Sequence, residues 1–223
     1  MSAWLCIPSA KPVAEAQLCV LAWRDQNYRV ALWRDQEDAV DCDMKLVGKY
    51  PGYAGACNAL VRELLAHEPQ ARWFVCAGDD MLPDPTRTAD EIAAECEAHF
   101  RGTRGVMQPT GDGYGAETIA GSAFIGREWC ERAYGGNGPF WPEYTHCFLD
   151  NELKEVATLT GTFWQRPDLR HKHNHWGRMG KPMPRYLAEA NSPQHWERFQ
   201  RLYMNRRAMN FPGHEIIPTE VAA

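Results

Sequence analysis

The chain has 223 residues, 44% of them hydrophobic, and a formal net charge of −5. That length carries one large or two small domains and that composition buries a core; no apolar stretch approaches the ~18 residues of a helical membrane span. The eight cysteines form no Cys-x-x-Cys pair, and Cys6, Cys19 and Cys76 lie inside apolar runs. Free cysteine there behaves as a small hydrophobe, so the reading is a reduced, cytoplasmic protein with no signal peptide and no disulfide framework.

In chain order, Trp4-Leu5-Cys6-Ile7, closed by Pro8-Ser9, reads as a first strand. Val13, Ala16, Leu18, Leu21 and Ala22 recur near helical spacing and predict a helix over 13–23, ended by Asn27. Tyr28–Trp33 and Met44–Val47 read as the second and third strands. A Gly/Pro/Tyr loop over 48–55 precedes a helix from about Ala56 to Ala66, and 73–77 is the fourth strand. This β-α-β-β-α-β alternation predicts a mainly parallel sheet with helices on its faces. Ser9, Asp35, the 48–55 loop and Asp79 then fall along one sheet edge, where such folds bind nucleotides.

A helix over 88–100 follows, with Thr88 as N-cap and Glu91 at the capping-box position. Residues 105–109 and 120–126 read as strands, the second rich in small residues, and 127–134 as a helix. Gly135–Pro142 has the Gly, Pro and aromatic composition of a binding loop or a structural turn. Phe148–Leu153 opens a helix to about Leu159, at whose start Asp150 is either a functional acid or an N-cap. Thr162-Phe163-Trp164 reads as a last strand, and a polar helix rich in Arg and aromatics follows Pro184, with an irregular tail from Phe211.

Chemistry concentrates in Trp73–Pro85. A buried apolar strand drops into Asp79-Asp80 and then a proline turn. Two carboxylates at a strand end suit a hard divalent cation that also holds substrate phosphates; the alternative is a polar turn. His171, His173 and His175 alternate, and in an extended segment all three point one way. If that segment folds back onto Asp79-Asp80, a histidine completes a metal site; otherwise it is a hydrated basic loop. Charge is uneven: residues 1–164 hold 14 Lys+Arg against 24 Asp+Glu, residues 165–223 hold 10 against 5. The basic part suits a polyanionic partner, or packs on the acidic part.

The order of these pieces resembles a GT-A glycosyltransferase of the compact family-2-like kind, over roughly residues 4–178. Gly78-Asp79-Asp80-Met81 is similar to the family's metal motif, and Gly52–Leu60 to its Gly/Asn helix opening. Gly121-Ser122 and Gly135-Gly136 resemble the acceptor-side segment, Leu149–Leu153 the segment carrying the base, and the late His-x-His the C-terminal metal histidine. Leu149 stands where many relatives have an acid, which keeps Glu152 and Glu143 beside Asp150 as bases.

The resemblance implies a GT-A, Rossmann-like α/β catalytic domain over 1–178, with a nucleotide-sugar half at 1–85 and an acceptor half at 86–178, and a basic helical extension over 179–223. It implies Mn²⁺ or Mg²⁺ on Asp80 with His171 or His173, a donor, most simply a UDP-sugar, held by Pro8, Ser9, Asp35, Lys49, Asn58 and Asp79, and Asp150 as base. Arg170, Lys172 and Arg178 add charge against the diphosphate. The acceptor is a saccharide or cell-envelope precursor, or a hydroxymethylated DNA base as in phage enzymes of this size. A nucleotidyltransferase or a non-catalytic nucleic-acid-binding module are the alternatives from other classes.

Overall fold

A computed structural model describes residues 3–214, with the side chains of residues 185 and 186 left out of the description. Part of the expected tail, residues 215–223, lies outside the described residues. The chain order is β1 (Ala3–Pro8), α1 (Val13–Arg24), β2 (Arg29–Arg34), β3 (Met44–Val47), α2 (Tyr53–His67), β4 (Trp73–Cys76), β5 (Met81–Leu82), α3 (Ala89–Phe100), β6 (Val106–Pro109) and β7 (Phe124–Gly126). There follow α4 (Arg127–Arg132), a 3-10 turn (Ala133–Gly136), α5 (Leu149–Leu159), β8 (Phe163–Arg166), β9 (Lys172–His173), α6 (Arg185–Ala190) and α7 (Pro193–Ala208).

Seven strands form one sheet in the order β3-β2-β1-β4-β7-β6-β8. All neighbours are parallel except at β7, which runs antiparallel to β4 and β6. The expected mixed, mainly parallel sheet flanked by helices is what the chain forms. Side-chain alternation explains why the strands read as unbroken apolar runs. In β1 and β4, Trp4, Cys6, Phe74 and Cys76 enter one core cluster, with Leu60 of α2, Leu153 of α5 and Phe199 of α7. Leu5, Ile7, Trp73 and Val75 enter the other, with Val20 of α1 and Ile92 of α3. Phe199 and Phe211, both after residue 178, are buried in the first cluster.

Several boundaries depart from expectation. Helix α2 starts at Tyr53, inside the expected loop, because Gly52 adopts φ 87° and the Tyr53 N–H donates to Thr145 O at 2.6 Å. A Cβ at Gly52 would lie 2.8 Å from Thr145 Cβ, so only glycine fits this crossing. Of the strand expected over 120–126, only Phe124–Gly126 pairs. The capping box at Thr88 and Glu91 forms as its spacing predicts. A second small sheet, β5 against β9, brings Met81 opposite His173. No helix among the described residues is long and apolar enough to cross a membrane.

Candidate functional site

The four parallel strands β3, β2, β1 and β4 end together at one sheet edge. The residues that leave them are Lys49, Asp35, Ser9 and Asp79-Asp80, so the expected collinearity holds. Lys49 and Asp35 are exposed and Pro8 is half-buried at the end of β1.

Ser9 and Asp79 meet. The Ser9 hydroxyl donates to Asp79 Oδ2 at 2.6 Å. Lys11 joins them: its Nζ donates to Asp79 O at 2.6 Å and lies 3.2 Å from Asp79 Oδ1. The loop carrying Ser9 and Lys11 is fixed by Arg34, buried at the end of β2. Arg34 donates to Ser9 O at 2.5 Å and to Lys11 O at 2.8 Å, while its Nε donates to Asp38 at 2.7 Å. Lys45 Nζ closes the set on Asp38 O at 2.8 Å. Sequence reasoning missed Lys11, Arg34 and Asp38. A single Lys or Arg in a loop carries no periodic signal, and its partners are tertiary.

Asp80 meets the late histidine segment. Pairing of β5 with β9 folds that segment back, and Asn174 N–H donates to Asp80 O at 2.9 Å. His173 Nε2 then lies 3.2 Å from Asp80 Oδ2. Burial pushes the Asp80 carboxyl up, but the His173 hydrogen bond, the His173 charge and the Lys11 charge outweigh it, and the net direction is down. Behind this pair stands Asp112, whose carboxylate accepts from the His173 N–H at 3.1 Å and pairs with Arg178 and with Arg170 at 3.3 Å. Tyr114 Oη lies 3.0 Å from His175 Nδ1.

His171 does not share this site. Its ring is buried between Trp23 and Phe124, at centroid distances of 5.1 and 5.8 Å, and its Nδ1 faces Ser122 O at 3.0 Å. Burial pushes its pKa down to about 4. The alternation argument fails at His171 because β9 is only two residues long. Of the histidines proposed as ligands, His173 alone touches Asp80, and among the described residues no group of three or more His, Cys, Asp or Glu gathers to hold a metal ion. What is present still fits a divalent ion sparingly bound by protein. One carboxylate and one imidazole supply two positions, and Mg²⁺ is commonly held by one or two carboxylates plus substrate phosphates.

Asp150 lies toward the same edge. Phe124 pairs with Val75, so the segment before β7 runs beside the carboxyl end of β4. Ala120 N–H donates to Asp150 O at 3.2 Å, and a Cβ on Gly121 would sit 3.9 Å from Asp150 Oδ2. Asp150 is not the N-cap: Phe148, in the left-handed conformation at φ 69°, holds that position, and no side chain caps the helix. Asp150 is half-buried, and desolvation pushes its carboxyl up against the Asn151 N–H that donates to it at 3.0 Å.

The other two candidate bases differ. Glu152 is buried and saturated: Tyr134 and Tyr144 each donate to it at 2.8 Å, and Arg206 at 2.8–3.1 Å. Glu143 is exposed. Asn58 is buried and bonded within the chain: its amide donates to Phe140 O at 2.8 Å and accepts from Phe140 N–H at 3.1 Å, holding the 138–140 turn.

Among the described residues, five of the ten Lys and Arg in residues 165–223 form internal ion pairs, while Lys172, Lys181, Arg198 and Arg201 are exposed. Arg166 faces Glu95 and Asp168, Arg170 and Arg178 face Asp112, Arg206 faces Glu152, and Arg207 faces Glu155.

Neither a protein-family model nor a curated protein sequence matches the chain. Among solved structures it is similar to A197 from STIV, with a TM-score of 0.51 and 13% identity over 78% of this chain and 86% of that one. It also aligns with the catalytic domain of Drosophila β1,4-galactosyltransferase 7 in complex with xylobiose, at a TM-score of 0.49 and 12% identity over 82% of this chain and 75% of that one. A mutant of that enzyme in complex with manganese, UDP-Gal and xylobiose gives the same values. The likeness to A197 is one of fold. Fold and edge together define a mixed α/β protein with a cluster of polar and charged side chains at the carboxyl ends of its parallel strands.

Proposed function

We propose that the chain is a glycosyltransferase that moves a sugar from a nucleotide-sugar donor, a UDP-sugar in the first instance, to an acceptor hydroxyl. The observation that carries this reading is the meeting of Ser9, Asp79, Asp80 and His173 at the sheet edge, built by three segments, with Ser9 70 residues before Asp79 and His173 93 residues after Asp80. In open α/β sheets that edge is where ligands bind, and a hydrogen-bonded carboxylate–imidazole pair serves a polar ligand better than it serves a turn.

Each residue then has a task. Asp80 and His173 would hold Mn²⁺ or Mg²⁺, which when bound supplies charge to stabilise the leaving diphosphate. Ser9 and Asp79 line the donor crevice, with Asp35 and Lys49 exposed at its rim. The acceptor hydroxyl attacks the anomeric carbon as the bond from that carbon to the diphosphate breaks, and the hydroxyl proton passes to Asp150. A carboxyl whose pKa is raised by desolvation is suited to that transfer. This assignment requires inversion at the anomeric carbon; with retention, Asp150 orients the acceptor. Asn58 acts on the acceptor side by holding the 138–140 turn within the Gly135–Pro142 loop.

The acceptor is a saccharide hydroxyl on this reading. A DNA acceptor needs a row of free cations for phosphate contacts; five of the ten C-terminal cations face carboxylates instead, while Lys172, Lys181, Arg198 and Arg201 are exposed, so hydroxymethylated DNA stands as the second acceptor in the test. A nucleic-acid-binding module accounts for neither the Asp80–His173 pair nor Asp150.

The test is release of nucleoside diphosphate from UDP-, GDP-, ADP- and dTDP-sugars, with Mn²⁺ or EDTA, against soluble saccharides and hydroxymethylated DNA. One donor is expected to react with metal and a saccharide present. Asp150→Asn should keep donor binding and lose transfer by about 10²–10⁴-fold, the range of general-base catalysis. Release that survives Asp150→Asn would remove the base assignment.

A further inference from the structure

The expected metal motif contains a cation of its own. Lys11 lies across Asp79 rather than in solvent, its Nζ 2.6 Å from Asp79 O and 3.2 Å from Asp79 Oδ1. Its side chain is 28% exposed, so it is not sealed inside the protein. An ammonium has three N–H groups; here one is donated to Asp79 O and the charge also faces Asp79 Oδ1, which leaves donor capacity for a ligand. The position is built, not incidental. The Lys11 carbonyl is held by buried Arg34, its N–H donates to Ser9 Oγ at 3.3 Å, and Arg34 is itself paired to Asp38. With Ser9 and Lys11 both on the Asp79 carboxylate, that group is already occupied, whereas among the described residues the Asp80 carboxylate has His173 as its side-chain hydrogen-bond partner. The charge of Lys11 also reaches Asp80, whose carboxyl it helps to hold down.

From this geometry we infer that Lys11 is a phosphate-binding residue: its free N–H contacts the diphosphate of a nucleotide ligand directly, so part of nucleotide affinity needs no divalent ion. The inference rests on the donor-site reading above and deepens it. Two carboxylates alone repel a diphosphate. Lys11 cancels one of them permanently and leaves the other, Asp80, for the ion. Nucleotide recognition thus divides between a resident cation bonded to Asp79 and a divalent ion bonded to Asp80.

The experiment is calorimetric titration of UDP, with GDP, ADP and dTDP alongside, and of the matching nucleosides, in EDTA and in Mn²⁺. Wild type is compared with Lys11→Met, Lys11→Arg and Asp80→Asn. The best diphosphate should bind wild type in EDTA and bind more tightly with Mn²⁺. Lys11→Met should weaken the EDTA affinity about tenfold, the scale of one lost charge-assisted hydrogen bond, leave the nucleoside unaffected, and keep the gain from Mn²⁺. Lys11→Arg should restore most of the loss, and Asp80→Asn should abolish the Mn²⁺ gain alone. Equal EDTA affinity for wild type and Lys11→Met would overturn the inference, as would equal weakening of nucleoside and diphosphate, since a merely structural lysine moves both. If wild type binds no nucleotide under either condition, the donor-site reading fails and the inference falls with it.

Discussion

Two regions of the molecule carry acidic residues against cations, and they are built differently. At the sheet edge, Asp79 and Asp80 face Ser9, Lys11 and His173 with side chains that are 11–35% exposed wherever they form ion pairs, and with donors still unspent. At the C-terminal helix, Glu152 and Arg206 are 1% and 4% exposed, and the carboxylate accepts from Tyr134, Tyr144 and Arg206 at once. Arg206 also lies over the ring of Trp141 at 3.7 Å, and Phe148, at the start of α5, packs on Trp196 and Tyr203 of α7. The second region braces the first turn of α5, which presents Asp150. On α5, saturation marks Glu152 as structural and spare capacity leaves Asp150 for a ligand, although they are two residues apart.

Stability measurements sharpen that contrast. Arg206→Ala strands the Glu152 carboxylate in the core, and removal of one partner of a buried pair costs about 3–5 kcal/mol. Urea unfolding should report a loss of that size, and a loss below about 1 kcal/mol would place Arg206 with surface pairs. Asn58→Ala comes next. It leaves the Phe140 N–H and C=O without their partner, at about 1–3 kcal/mol, and nucleotide affinity should hold. A variant of unchanged stability with lost nucleotide binding would return Asn58 to the donor site. Asp80→Asn loses a part-exposed ion pair with His173 and should cost about 1 kcal/mol or less, while metal-dependent binding disappears.

The smallest effect is one of pH. Burial pushes Asp84 up, but bonds from the Thr86 hydroxyl, Thr86 N–H and Arg170 N–H outweigh it, and the net direction is down. A depressed carboxyl stabilises the fold fully above its unfolded value of about 3.9. That contribution is lost as pH falls through the lower folded value. Wild-type stability should therefore fall more steeply below about pH 4 than that of Asp84→Asn, and parallel curves would remove Asp84 as a source of acid sensitivity.

Much of the sheet was legible in the sequence because parallel strands buried on both faces are continuous apolar runs. Met44–Val47 and the Trp73 strand were found within a residue, and the Thr88 box gave its helix start. Insertion of antiparallel β7 between β4 and β6 was not legible, since strand order depends on pairing partners rather than on local pattern. At the candidate site, the motif residues carried a local signature and the residues that brace them did not. Lys11 and Arg34 act through backbone carbonyls and a carboxylate 23–68 positions away, which no spacing rule reaches. His171 and His173 look equivalent in sequence, yet one ring fills the core beside Trp23 and the other meets Asp80.

The Ser9–Asp79–Asp80–His173 edge is proposed above as a metal-assisted nucleotide-sugar site. A thermal-shift screen of UDP-, GDP-, ADP- and dTDP-sugars, each with Mn²⁺ and with EDTA, tests it most directly. At a hundredfold excess over the dissociation constant, one donor should raise stability by about 2.7 kcal/mol, or about 5–10 °C for a chain of this size. The rise should shrink in EDTA, and Asp80→Asn should remove the metal-dependent part. A folded sample that shifts with none of the four donors would contradict the account.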